Sequence, residues 1–160
     1  MSVTAAPTPK SDRTEQVILP GLARALVQHQ KLSPETALEI QSKVSKTDAR
    51  FIDELITGKR MAAIAVARFL AETFGLPYLD VDAIDMAALP KELIDRKLMA
   101  DTRMVPLVKR GNRLSVLVSD PTDHTALDRV KFQQQASVDP IVVEHDKLLK
   151  LVEKLGQSAG

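Results

Sequence analysis

The hydrophobic period of this chain changes at Gly75, and no other feature restricts its fold as much. Up to Phe74 the apolar residues recur every three or four positions, the spacing of a helix face. Beyond Gly75 the runs "LPYLDV", "MVPLVKRGNRLSVLVS" and "VDPIVVEH" are β-rich, and the first alternates in the manner of strands. A single switch of this kind predicts an α+β fold, with a helical subdomain followed by an α/β subdomain.

The helical part has its own order. Ile18, Leu22, Leu26 and Val27 recur at helical spacing. "LSPET" is a helix start: Ser33 can cap, Pro34 suits the first helical position and Glu35 complements the dipole. Ala37, Leu38, Ile40 and Val44 form the apolar face of this second helix. A third carries Phe51, Ile52, Leu55 and Ile56 and stops near Gly58, and a fourth runs from about Met61 to Phe74, with Gly75 as its left-handed C-terminal residue. Leu26-Val27 superposes on Leu55-Ile56, Leu32 on Met61, Ala37 on Val66 and Leu38 on Ala67. The four helices therefore read as two copies of a helix hairpin. Residues 1–16 mix small, Pro and charged residues with no large apolar side chain after Val3, so they read as a disordered tail. The predicted domains are then 17–75, helical, and 76–157, α/β.

In the second part the order is strand, helix, two strands, helix, strand, helix, which predicts a mixed sheet with helices packed on it. The strand at 77–82 puts Leu79 and Val81 on one face and Asp80 and Asp82 on the other. "LPKELIDRKLM" reads as a helix with Pro90 in its first turn, Gly111-Asn112 as a hairpin turn, Thr122 or Asp123 as a helix cap, and Asp146 as the cap of the last helix.

Composition narrows the function. A net charge of +1, 3% aromatic residues and no Trp argue against a nucleic-acid surface. The absence of Cys excludes disulfides and thiolate metal sites and is compatible with a reducing cytoplasm. "MAAIAVA" is broken by Arg68, far short of the roughly 18 residues of a membrane span. "MSVTAAPTPK" lacks the charged start and long apolar middle of a signal peptide.

No catalytic constellation is visible. "ITGKR" has a Gly-Lys pair, but Arg60 stands where a phosphate loop needs Ser or Thr, and the upstream Gly is missing. His29, His124 and His145 are scattered. Asp80, Asp82 and Asp85 have no His or further acid at ligand spacing and read as a solvated edge and helix caps, not a metal site. "KRGNR" reads as a charged hairpin tip that keeps a sheet edge soluble, the alternative being a patch for an acidic partner. These readings leave a non-catalytic binding module. Its expected partner surface is the first helix, where Ile18, Leu19, Leu22, Leu26 and Val27 cover more than one face. Leu26 and Val27 follow the core register of the repeat, which leaves Ile18, Leu19 and Leu22 as the interface.

The order of "GLPYLD", "LP" opening a helix, "VPL" beginning a hairpin, "VSDP" closing it and "ALDRVKF" in the next helix resembles the N-terminal domain of the secretion ATPases, the hexameric motors of type II secretion and type IV pilus assembly. The likeness covers residues from about 18 to the end and is closest to the pilus extension motors. It implies a regulatory domain whose ATP, magnesium and ATPase domain lie beyond this sequence, with no cofactor of its own. It implies as partners a PilZ-type adaptor, inner-membrane platform proteins of the pilus and the motor's own C-terminal ATPase domain in a hexamer. It places the chain in the cytoplasm, peripheral to the inner membrane without insertion. Some relatives bind cyclic di-GMP through two tandem motifs resembling R-x-G-x-x-L-V-x-x-G-x-L. In the first copy here Gly21 stands at the Arg, Ala23 at the first Gly and Gln30 at the second. In the second copy Arg50 matches, while Ile52 and Lys59 replace the glycines. The resemblance leaves Arg50 as the candidate nucleotide-binding residue, and a cyclic di-GMP sensor as the alternative to a docking module.

Overall fold

A computed structural model describes residues 19–158, and the Ile18 and tail expectations lie outside the described residues. The chain divides into two compact units, one ending at Leu55 and the other starting at Ile56.

The first unit contains α1 (Gly21–Gln28), α2 (Pro34–Val44) and most of α3 (Phe51–Thr57). Helices α1 and α2 pack on each other. Ser33 caps α2 as expected, its hydroxyl accepting from the Thr36 N–H at 3.1 Å, with Pro34 at the first helical position. At the start of α3 the Asp53 carboxylate accepts from the Arg50 N–H at 2.8 Å, half of a capping box that satisfies an otherwise orphaned donor. Leu22, Leu26, Ile40, Phe51, Ile52 and Leu55 are buried.

The second unit begins its regular structure with α4 (Ala63–Phe74), closed by Gly75 at φ 64°. Among the described residues its sheet has three strands, β1 (Val105–Arg110), β2 (Arg113–Val118) and β3 (Ser137–Val142), in that spatial order. β1 and β2 form the expected antiparallel hairpin around Gly111, whose φ is 63°, and β2 and β3 are parallel. The sheet is therefore mixed, and the α+β expectation holds. α6 (His124–Gln134) makes the parallel crossover and is capped by Asp123, which accepts from the Ala126 N–H at 3.1 Å. α7 (His145–Ser158) follows β3.

β2 is the central strand and is buried on both faces. Leu114, Val116 and Val118 join Ala126 and Val130 of α6 in one cluster. Leu117 joins Val105 and Leu148, Leu151 and Leu155 of α7 in the other. This is the pattern expected of a strand covered by helices on both sides.

Three local expectations change. The strand at 77–82 is reduced to one parallel bridge, Tyr78 to Val142, in which Leu79 N–H donates to the Val142 carbonyl at 3.0 Å. The cause is Asp80, whose carboxylate accepts from the Asp82 N–H at 3.0 Å and draws the chain into a 3₁₀ turn, Val81–Ala83. Asp85 does the same for Met86–Ala88, through the Ala87 N–H at 3.0 Å. The helix expected from Pro90 is divided. A 3₁₀ turn, Lys91–Leu93, comes first, and Asp95 then caps α5 (Arg96–Thr102), accepting from the Lys97 and Leu98 N–H groups at 3.1 Å each. Asp146 does not cap α7, because the helix already starts at His145, with the Leu148 N–H bonded to the Glu144 carbonyl.

Candidate functional site: two repeated helix turns

The hairpin repeat is visible in the backbone. α1 ends at Gln28 and α3 at Thr57, while α2 starts at Pro34 and α4 at Ala63, a constant offset of 29 residues. The connecting turns share an unusual conformation. Gln30 has φ 59° and Lys59 has φ 58°, both in the left-handed region that non-glycine residues rarely enter. These are the positions where the tandem motif would place its second glycine. The turn is held by the same bond in each copy: Gln30 N–H donates to the Val27 carbonyl and Lys59 N–H to the Ile56 carbonyl, each at 3.0 Å. The glycine backbone is kept without the glycine, so a side chain stands over each turn. Beside the first turn an open hollow of about 340 Å³ is lined by Val27, Gln30, Lys31, Leu32, Ser33 and Pro34.

The first glycine positions of the motif differ from these. Ala23 and Ile52 are buried, so their side chains serve the interior and leave no bare backbone for a ligand. Arg50 sits at the start of α3, half-buried, with its backbone N–H bonded to Asp53. Lys59→Gly and Gln30→Gly are expected to leave the melting temperature unchanged or raise it, because relief of left-handed strain offsets the added flexibility of the unfolded chain. Lys59→Val should lower stability by about 1–2 kcal/mol, the cost of a β-branched residue in that region. Thermal melts of the three variants check this.

Of the expected partner surface, Leu19 is partly exposed just before α1. Leu22 is corrected: it is 0% exposed and belongs to the interior. The register explains this, since Leu22 lies four residues before Leu26 and shares its face.

Asp80 and Asp82 have a structural task, while Asp85 only closes its own turn. Lys147 Nζ lies 3.2 Å from Asp80 Oδ1, 2.8 Å from Asp82 Oδ2 and 3.2 Å from Glu144 Oε1. Tyr78 OH donates to Glu144 at 3.1 Å. The bond to Asp82, with those to Asp80 and Glu144, raises the Lys147 pKa above its ordinary 10.5. The Asp82 N–H and Lys147 hold Asp80 below its ordinary 3.8. Stability from Asp80 is thus present above pH 3.8 and is lost as pH falls through its lowered value. Stability from Lys147 is present below pH 10.5 and is lost as pH rises past its raised value. Lys147→Met should therefore melt below the parent at neutral pH, and the gap should close on strong acidification. Melts across pH measure it. Among the described residues no group of three or more His, Cys, Asp or Glu could hold a metal ion.

Sequence reasoning missed one buried polar pair. Ser119 Oγ and His145 Nδ1 are 2.8 Å apart, both buried, joining the end of β2 to the start of α7. Beside them Asp120 accepts from the Thr122 N–H and hydroxyl, and desolvation raises its pKa. "VSDP" was the available signal, but its partner lies 26 residues away. No described helix is long and apolar enough to cross a membrane.

The chain is similar to the type IV pilus assembly ATPase PilB of Pseudomonas aeruginosa, at 35% identity over 91% of its length, and to that of Acinetobacter baylyi, at 34% over 84%. It spans about a quarter of those proteins, 26% and 23%. Its fold resembles the N-terminal domain of XpsE, with a TM-score of 0.64 at 19% identity over 88% of this chain and 94% of that one. It also resembles MshE, solved with cdg, with a TM-score of 0.60 at 21% identity over 84% of this chain and 97% of that one. The MshEN domain family matches residues 74–160, more than half of the sequence, and the chain belongs to that family.

Proposed function

We propose that this chain is the N-terminal regulatory and protein-interaction domain of a type IV pilus assembly ATPase, and that it docks a PilZ-type adaptor to the motor. The observation that carries this reading is the alignment with pilus assembly ATPases over nearly the whole chain, in a region that forms only about a quarter of those proteins. The domain is non-catalytic in this reading, with ATP and magnesium handled elsewhere in the parent protein and platform proteins reached through the assembled motor. Leu19 supplies apolar surface to the adaptor, together with Ile18.

A second reading is a cyclic di-GMP sensor. It is favoured by the two left-handed turns at Gln30 and Lys59 and by the fold likeness to MshE, solved with cdg. Against it stand the lost Arg at Gly21 and the buried side chains of Ala23 and Ile52.

Calorimetry separates the two. Saturable binding of a PilZ-type adaptor, weakened by Leu19→Asp at an unchanged melting temperature, supports docking. Submicromolar binding of cyclic di-GMP that is lost on Arg50→Ala supports the sensor and displaces the docking reading. A phosphate-release assay on the same protein should show no magnesium-dependent ATP turnover above blank.

A further inference from the structure

The second unit carries a groove that the function above does not use. It has a volume of about 330 Å³ and lies between the 3₁₀ turns at 81–88 and the side of α7. Its floor is apolar, formed by Val81, Ile84, Met86 and Leu151, and the first three are only partly buried. Lys147, Lys150 and Lys154 form its rim, on one face of α7. Lys147 is occupied by its three carboxylates, Asp82 of the groove lining among them, and they outnumber its single charge. Lys150 and Lys154 are exposed and make no ion pair among the described residues. The groove is thus electrostatically graded: net negative at the Lys147 end, where three carboxylates surround one lysine, and positive at the other.

We propose that this groove docks an acidic amphipathic segment of a partner protein, with apolar side chains on the floor and carboxylates at Lys150 and Lys154. The seven residue steps from Lys147 to Lys154 rise about 10 Å, room for two turns of a partner helix. A helix with apolar residues at three- and four-residue spacing matches such a floor. At the Lys150–Lys154 end the free charges are lysines, so complementarity there selects carboxylates and disfavours a basic segment. A nucleic acid would gain the same charges but leave the apolar floor uncovered, and the groove holds no aromatic side chain for a base to stack on. The site does not rest on the adaptor reading, because Leu19 belongs to the other unit and is tested by a separate variant.

The probe is a fluorescein-labelled peptide of about twelve residues, made of Leu and Glu with Leu at helical spacing. Its anisotropy is followed as the whole chain is added. Binding should saturate below about 1 mM. It should weaken at least about tenfold on Lys150→Glu with Lys154→Glu, and to a lesser degree on the paired Gln substitutions. Raising salt from about 50 to 500 mM should also weaken it. A peptide with Lys in place of Glu should not bind, and methyl signals of Val81, Ile84 and Leu151 should shift with the acidic peptide alone. Absence of saturation overturns the proposal. So does equal binding by folded charge-reversed protein, or equal binding of the Lys peptide. Binding to phosphatidylglycerol vesicles without binding to the peptide assigns the lysines to a membrane surface and also overturns it.

Discussion

Leu26→Ala and Leu55→Ala should each lower stability by about 2–5 kcal/mol, the range for removing a fully buried leucine. Both residues are 0% exposed, and they occupy equivalent places 29 residues apart. Each closes the inner face of the helix that leads into a left-handed turn, α1 before Gln30 and α3 before Lys59. Losses of similar size in denaturant titrations would mark the two copies as energetically alike as well as alike in backbone. A loss under about 1 kcal/mol at either site would mean that its cavity collapses at little cost, and the two hairpins would then differ in packing. Leu22→Ala belongs with these two and should reduce stability in the same range, whereas Leu19→Ala should leave it nearly unchanged.

The second large effect concerns cyclic di-GMP, whose affinity should fall far below micromolar. A micromolar site needs about 8 kcal/mol of binding free energy. The one matched arginine, Arg50, supplies a charge-assisted hydrogen bond of about 1.5–3 kcal/mol. The shortfall of several kcal/mol corresponds to about a thousandfold or more in affinity. Glycine normally admits a ligand to bare backbone, and Ala23 and Ile52 fill that space from within the folded interior. Calorimetry at millimolar ligand should show no saturable heat.

Much of the helical half was legible because its signals are local. Ser33, Pro34 and Gly75 act within four residues of themselves, and each does in the structure what its chemistry suggested. The repeat was legible for a related reason, since it is a periodicity of side-chain type. Conformation at its turns was not, because Gln30 and Lys59 are residues that ordinarily avoid positive φ. The strand at 77–82 failed where two local preferences competed: alternating apolar residues favoured the sheet, and Asp80 favoured bonding its own chain two residues on. The faces were still right, with Leu79 and Val81 packed inward and Asp80 and Asp82 exposed. The Ser119–His145 pair and the Lys147 cluster could not be read, because the pair is 26 residues apart and Lys147 meets Asp80 from 67 residues away. Leu22 was misplaced because apolar residues on several faces of a short helix do not reveal which face is covered.

The docking function turns on Leu19, which is partly exposed next to a helix whose two leucines, Leu22 and Leu26, serve the interior. The most direct test is the affinity of a PilZ-type adaptor from the same cell for the parent domain and for Leu19→Asp, with melting temperature recorded for both. The parent should bind saturably and the variant at least about tenfold more weakly, as for an apolar contact at the centre of an interface, with melting temperatures that agree. Absence of adaptor binding by the parent, or equal affinity of the two proteins, would contradict the docking function.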